Sequence, residues 1–372
     1  AARQMVQTAA ELDASLTDLR MVTGASYDEA AAYIKEYNAL AQEIGATTKE
    51  VTDAASEWLR QGKSIAETEE LINQSMILSK VGAMESATAT ERLTSTMNGY
   101  GLRVDEIAGV VDKLTSVDMA AAVSADELAE ALSHTASSAY LAGIDLDKIL
   151  AYITVVSETT RKSASVIGES FKSIFARMGK VTNGDAVDDY GENISNVEET
   201  LRSLGIEMRK SETEFRDFDD ILDEIGSKWD SYSSVVQRQF STIIGGTYQS
   251  ENFLALMNNY EKVKEYVDVA ANSAGTAAEK FNAYQESVEA HYNAMKAAAE
   301  SLAMNTVSSD FMNTVLQATS ALLKFIDNLH LLQIALAALG AVGVVKGFTI
   351  IGGKIKDIYA DVSKSFPARL IF

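Results

Sequence analysis

Cysteine is absent from the 372 residues, and proline occurs once, at Pro367. Without cysteine there is no disulfide framework, no thiolate zinc site and no cysteine nucleophile, so assembly in a reducing cytoplasm is the expectation. Ordinary chains carry about 5% proline. A proline inside a helix costs about 3 kcal/mol and a glycine about 1 kcal/mol, so a chain almost free of proline predicts an all-α fold whose bends are marked by glycine.

Basic charge is also scarce. Lysine and arginine number 32 against 53 aspartates and glutamates, for a formal charge of -21 and a pI near 4.6. Such a surface repels phosphate backbones, which argues against stable coating of nucleic acid without preventing DNA from sliding past. Hydrophobic residues make up 47% of the chain, ample for buried cores in two or three ordinary domains. The opening residues have no initiator Met and lack the basic-then-apolar order of a signal peptide. Together with an equally abrupt end, they read as a piece of a longer polypeptide.

Signatures of chemistry are missing as well. The three histidines, His134, His291 and His330, lie far apart in sequence without partners at ligand spacing. Neither a His-Glu-x-x-His pair nor a Gly-x-Ser-x-Gly elbow occurs. The nearest approach to a phosphate loop, residues 347–355, puts Gly353 where lysine is required and Ile355 where Ser or Thr holds magnesium. Acidic runs at 185–192 and 217–224 lack calcium-loop spacing and read as a solvated loop and the polar face of a helix. No catalytic residue, cofactor site or metal site is assigned, and an enzyme is not expected. Trp58 and Trp229 sit beside helix-spaced aliphatics, as core residues do.

What the chain does contain is a repeated corner. Gly-x-[Ser/Thr]-x-x-Glu occurs as Gly24, Ser26, Glu29, then Gly45, Thr47, Glu50, then Gly62, Ser64, Glu67. Glycine accepts the left-handed conformation that ends one helix, and the hydroxyl and carboxylate satisfy the free amides of the next. Ser124 and Glu127 repeat the box without the glycine. The first half is therefore predicted to be an array of short capped helices. Further stops fall at residues 98–101 and at Gly143 to Asp145, where Asp145 is placed to accept from the following amides.

From 166 to 178, Ile167, Phe171, Ile174, Phe175 and Met178 form one apolar stripe at helical spacing. Periodicity fades over 179–196, where Gly, Asn and Asp gather, and a domain edge is placed there. Helices resume at Val197, at 218–229 and before Gly246, and the alanine-rich stretch 276–305 allows one helix of roughly 45 Å. The resulting division is 1–180 and 181–275 for two halves of a helical core, 276–328 for long helices, and 329–372 for a hydrophobic segment with a basic flank.

In that last segment, Leu331, Leu332, Ile334, Leu336, Leu339, Val342, Val344, Val345, Phe348, Ile350 and Ile351 are the expected contacts to a membrane or to other copies. Gly340, Gly343 and Gly347 suit close helix packing. A bilayer needs about 20 apolar residues, so the run fits either transient, transmembrane insertion or a buried hairpin in a helical oligomer. Lys354, Lys356, Lys364 and Arg369 supply the basic flank.

The order of these pieces resembles the core region of phage tail tape measure proteins. A small-residue helix with an arginine near its end (167–178), a Leu-Gly-Ile segment (204–206), an amphipathic acidic helix (218–225) and an aromatic-Gly turn (243–246) follow one another as in that family. The likeness covers roughly residues 20–260, and the apolar tract beyond is typical of the family. The acidic insertion 184–192 stands where a shorter connection is expected, so that loop is not carried over.

The resemblance implies a rod in the virion tail lumen that sets tube length during assembly in the host cytoplasm and leaves ahead of the DNA, assisting genome ejection across the host envelope. Implied partners are its own copies as a trimer or hexamer, the tail tube protein, tail assembly chaperones, tail tip or baseplate hub proteins, and the host membrane. The alternative class is an α-helical pore-forming toxin or translocator subunit, which also combines acidic helices with an apolar hairpin. A scaffold built on a long coiled coil predicts sustained heptads, and the short capped helices point away from it. Corners made by glycine rather than proline are expected to permit straightening of the array into longer helices.

Overall fold

The computed structural model describes residues 2–306. Fifteen α-helices run through them, and Glu11–Met304 forms one compact unit. The first corner array is α1 (Ala2–Thr23), α2 (Tyr27–Ile44), α3 (Thr48–Arg60) and α4 (Ile65–Val81). Next come α5 (Ser86–Tyr100), a 3₁₀ turn at Val104–Glu106, α6 (Ile107–Ala120), α7 (Ala125–Leu141), α8 (Leu146–Thr160) and α9 (Ala164–Asn183). Last are α10 (Val197–Ser203), α11 (Phe218–Ser227), a 3₁₀ turn at Trp229–Ser231, α12 (Ser234–Met257), α13 (Tyr260–Ala271), α14 (Thr276–Gln285) and α15 (Val288–Thr306). Among the described residues the only β pairings are single bridges, Val187 with Asn193 and Arg209 with Phe215. The fold is all-α, as the composition predicts.

The corners form for the reason the sequence suggests. Gly24, Gly45 and Gly62 all adopt positive φ, at +70°, +69° and +79°. In each following box the Glu carboxylate accepts from the cap backbone, at 2.9 Å for Ser26, 2.8 Å for Thr47 and 2.9 Å for Ser64. The hydroxyl in turn accepts from the Glu amide, at 3.3, 3.2 and 3.3 Å. Ser124 and Glu127 make the same reciprocal pair before α7. Asp145 accepts from the Lys148 amide at 2.8 Å and caps α8.

α7 lies between α5 and α9, α13 lies against α6 and α8, and α12 crosses α8 and α9. Close approach to α7 depends on small residues. A Cβ on Gly168 of α9 would stand 2.4 Å from the Ala131 carbonyl oxygen. Trp58 is fully buried and donates from Nε1 to Ser75 at 2.9 Å, while Trp229 donates to Asn258 at 2.7 Å, so both rings are core residues with a satisfied N–H. The composition change at 179–196 coincides with the end of α9 and the loop that follows, and one buried cluster includes Met178 and Val181 before that loop, Ile194 within it and Val197 after it.

One expectation is corrected and another is met. The stretch 276–305 is not one helix, because α14 ends at Gln285 and α15 restarts at Val288 with Ser287 Oγ accepting from the Ala290 amide at 3.1 Å. The turn at 243–246 stands where expected: the helical segment from Ser234 breaks at Gly246, whose φ of 63° and ψ of -171° only glycine adopts readily, and a second segment of α12 runs on to Met257.

Candidate functional site

Two polar centres lie inside this helical packing, and both draw on segments singled out in the sequence. The first is built on Arg177. It stands three residues after Ile174 and four before Val181, on the apolar face of α9, and is 7% exposed. A guanidinium placed there requires fixed acceptors. Its Nε donates to the Ile243 carbonyl at 3.0 Å, and its Nη1 donates to Asp188 and, at 2.9 Å, to Glu192.

Glu192 also accepts from the Thr247 amide at 3.1 Å, so it caps the helical segment that restarts after the Gly246 kink. Asp188 Oδ1 accepts from the amides of Tyr190 and Glu192, both at 2.9 Å, which folds the acidic loop over the arginine. Tyr190 and Tyr248 meet at 5.1 Å between ring centroids on the exposed rim.

The second centre joins α8, α11 and α13. Lys148 donates to Asp219 at 2.5 Å and to Asp223 at 2.7 Å. The fully buried Tyr152 donates to Asp219 at 2.9 Å, and Tyr260 donates to Asp223 at 2.5 Å. Burial holds the Asp219 carboxyl above its usual range despite Lys148 and Tyr152. Burial likewise pushes the Tyr260 hydroxyl up, reinforced by its bond to Asp223.

The acidic runs depart from their sequence reading at two residues. Asp188 and Asp219 are 6% and 9% exposed, Asp188 answering the buried Arg177 and Asp219 the half-buried Lys148. Four of these carboxylates are engaged by Arg177 or Lys148, and no cluster of three or more His, Asp and Glu arranged for a metal ion occurs among the described residues. The signal for Arg177 was visible as a charge at helical spacing within an apolar stripe. Its partners were not, since the acids sit in an irregular loop whose path no helical period predicts, and the Ile243 carbonyl is 66 residues away.

His134 Nδ1 lies 3.1 Å from Glu169, and His291 Nδ1 lies 2.7 Å from the Ser287 carbonyl. Among the described residues no helix is long and apolar enough to cross a membrane. The tract from Leu331 to Ile351, with Gly340, Gly343 and Gly347 and the nearby His330, lies outside the described residues.

Two of the four segments behind the family resemblance, 167–178 and 243–246, meet at the first centre, and a third, 218–225, carries the acids of the second. Phe175 of α9 packs edge-on against Phe218 of α11 at 6.1 Å, Ile206 is buried in the same cluster, and Ile243 to Gly246 wraps Arg177. These features define an all-α protein whose internal charges tie helices together. The chain belongs to the family of phage-related minor tail proteins, whose sequence model matches residues 34–245. The match takes in the Gly45 and Gly62 corners and Arg177 and ends at the kink. No solved structure matches the chain.

Proposed function

We propose that this phage tail protein is a tape measure: a non-enzymatic rod that fills the tail tube, sets its length during assembly and is released at infection to help DNA across the host envelope. The observation carrying this reading is the family match over residues 34–245, which takes in the Gly45 and Gly62 corners and Arg177 with its acidic partners. Supporting it, the buried polar groups serve as ties between helices, and the chain's net charge of -21 gives passing DNA little to bind. In this reading the chain works as a trimer or hexamer in the tail lumen. It is loaded in the host cytoplasm with assembly chaperones, contacts tube and hub proteins, and meets the host membrane through its apolar tract.

The test is genetic. Deleting one helix-and-corner unit, residues 46–62, in the phage should shorten tails by about 25 Å at 1.5 Å per residue, and duplicating it should lengthen them equally. Tail lengths measured by electron microscopy that stay constant in the duplication would overturn the reading.

A further inference from the structure

The three glycine corners share a sequence pattern and a backbone conformation, yet their surroundings differ. A Cβ added at Gly24 or Gly62 meets nothing within 4 Å. At Gly45 it would lie 2.7 Å from Ala290 Cβ on α15. The middle corner is covered by a segment more than two hundred residues away in sequence.

That cover also occupies backbone acceptors at the end of α2. Tyr284 Oη donates to the Gly45 carbonyl at 2.8 Å, and Gln285 Nε2 donates to the Glu43 carbonyl at 3.1 Å. In a continuous helix those two carbonyls would receive the amides of Lys49 and Thr47, four residues on. While α14 and α15 sit in place, side chains hold the acceptors that straightening would need, and Ala290 fills the space into which position 45 would move.

Deeper in the contact, Asn38 of α2 donates to Thr48 Oγ1 of α3 and to the Ala297 carbonyl of α15, both at 2.8 Å, and Thr48 donates to the buried Glu300 carboxylate. Apart from the half-buried Met304, what the described side chains of α15 bury here is alanine methyls and hydrogen-bonding groups. Separation therefore exposes little apolar surface, and water can satisfy the polar atoms. α14 has a firmer seat, with Phe281 buried and its first amides capped by Asp112 at 2.9 Å. The firm seat is the start of α14, and Tyr284 and Gln285 at its end act with α15 on the corner.

We propose that α15, together with Tyr284 and Gln285 at the end of α14, is a detachable clasp on the Gly45 corner, and that α2 and α3 merge into one helix only after both let go. At Gly24 and Gly62 no such cover fills the space at the corner, so of the three only the Gly45 corner waits on the clasp. Its use in extending a rod rests on the tape measure reading; the clasp itself rests on the contacts alone.

Hydrogen exchange followed by mass spectrometry on the full chain tests it. Gly24→Ala, Gly45→Ala and Gly62→Ala impose the same backbone strain, but only Gly45→Ala collides with α15. Exchange across residues 288–304 should rise about tenfold in Gly45→Ala and stay unchanged in the other two. Ala290→Leu, which leaves the corner backbone intact, should produce the same rise and also speed exchange of the Gly45 amide, now bonded to Ala41. If Gly45→Ala does not fold, Ala290→Leu decides. Unchanged exchange of 288–304 in the folded variants, or an equal rise in Gly24→Ala, would overturn the clasp. Since the measurement uses the isolated chain, that result would leave the tail-length experiment unaffected.

Discussion

Glu50 closes two contacts with one carboxylate: it caps α3 through the Thr47 amide at 2.8 Å and accepts from Lys80 of α4 at 2.6 Å. The corner between α2 and α3 is thereby tied to the helix that follows α3. Burial raises the Glu50 pKa, but the Lys80 ammonium and the Thr47 hydrogen bonds outweigh it and hold the carboxyl below its usual value of 4.5. The folded protein thus binds fewer protons at this group than the unfolded chain does. Its contribution is complete above pH 4.5 and is lost as pH falls through the lower folded value. Glu50→Gln should cost about 2 kcal/mol at pH 7. In denaturant titrations the difference from wild type should shrink toward zero as the pH is lowered through that range.

Arg177 is the sole cation facing Asp188 and Glu192 among the ion pairs of the described residues. Arg177→Met leaves both carboxylates without it and should destabilise by about 3–5 kcal/mol. Adding Asp188→Asn and Glu192→Gln should recover part of the loss, as read from urea midpoints. A triple variant no more stable than Arg177→Met alone would mean that the arginine acts by packing and not by charge.

At Gly246 a side chain meets both strain and contact. Its φ is +63°, and a Cβ would stand 2.8 Å from Glu192 Oε2 and 3.1 Å from Arg177 Nη1. Gly246→Ala should cost about 1–3 kcal/mol from backbone strain alone and accelerate exchange of the Thr247 amide as Glu192 is displaced. An equal effect of Gly179→Ala, at a helical position with nothing within 4 Å, would show that the kink is not what matters.

Tyr37 of α2 is 2% exposed, and its hydroxyl finds no hydrogen-bond partner in the described residues. Burial, with Glu69 and Glu36 nearby, drives its pKa upward. Tyr37→Phe removes an unsatisfied polar atom and should raise stability by about 1 kcal/mol. Calorimetry showing a lower melting temperature would indicate a partner for that hydroxyl in solution.

Local signals were legible wherever the chemistry is local. A capping box needs only residues i and i+3, so Ser26, Thr47, Ser64 and Ser124 were readable from spacing. The α9 stripe was readable because apolar residues recur at the helical period, and Arg177 could be noticed within it. The break at Glu286 and Ser287 was missed because alanine-rich sequence on both sides favours helix. What interrupts it is the seating of Tyr284 and Gln285 on carbonyls of α2, a contact between residues 239 and 242 positions apart.

The sequence by itself determined an acidic, cysteine-free, all-α chain and placed its corners, since helix propensity, glycine conformation and end-capping act within a few residues. Tertiary structure decided which acids are buried, which corner is covered and where α12 kinks. Those outcomes depend on Asp188 folding back onto Arg177, Ala290 meeting Gly45 and Glu192 meeting Thr247, and such contacts reach beyond the few residues of a cap or a helical turn and form only in the packed molecule.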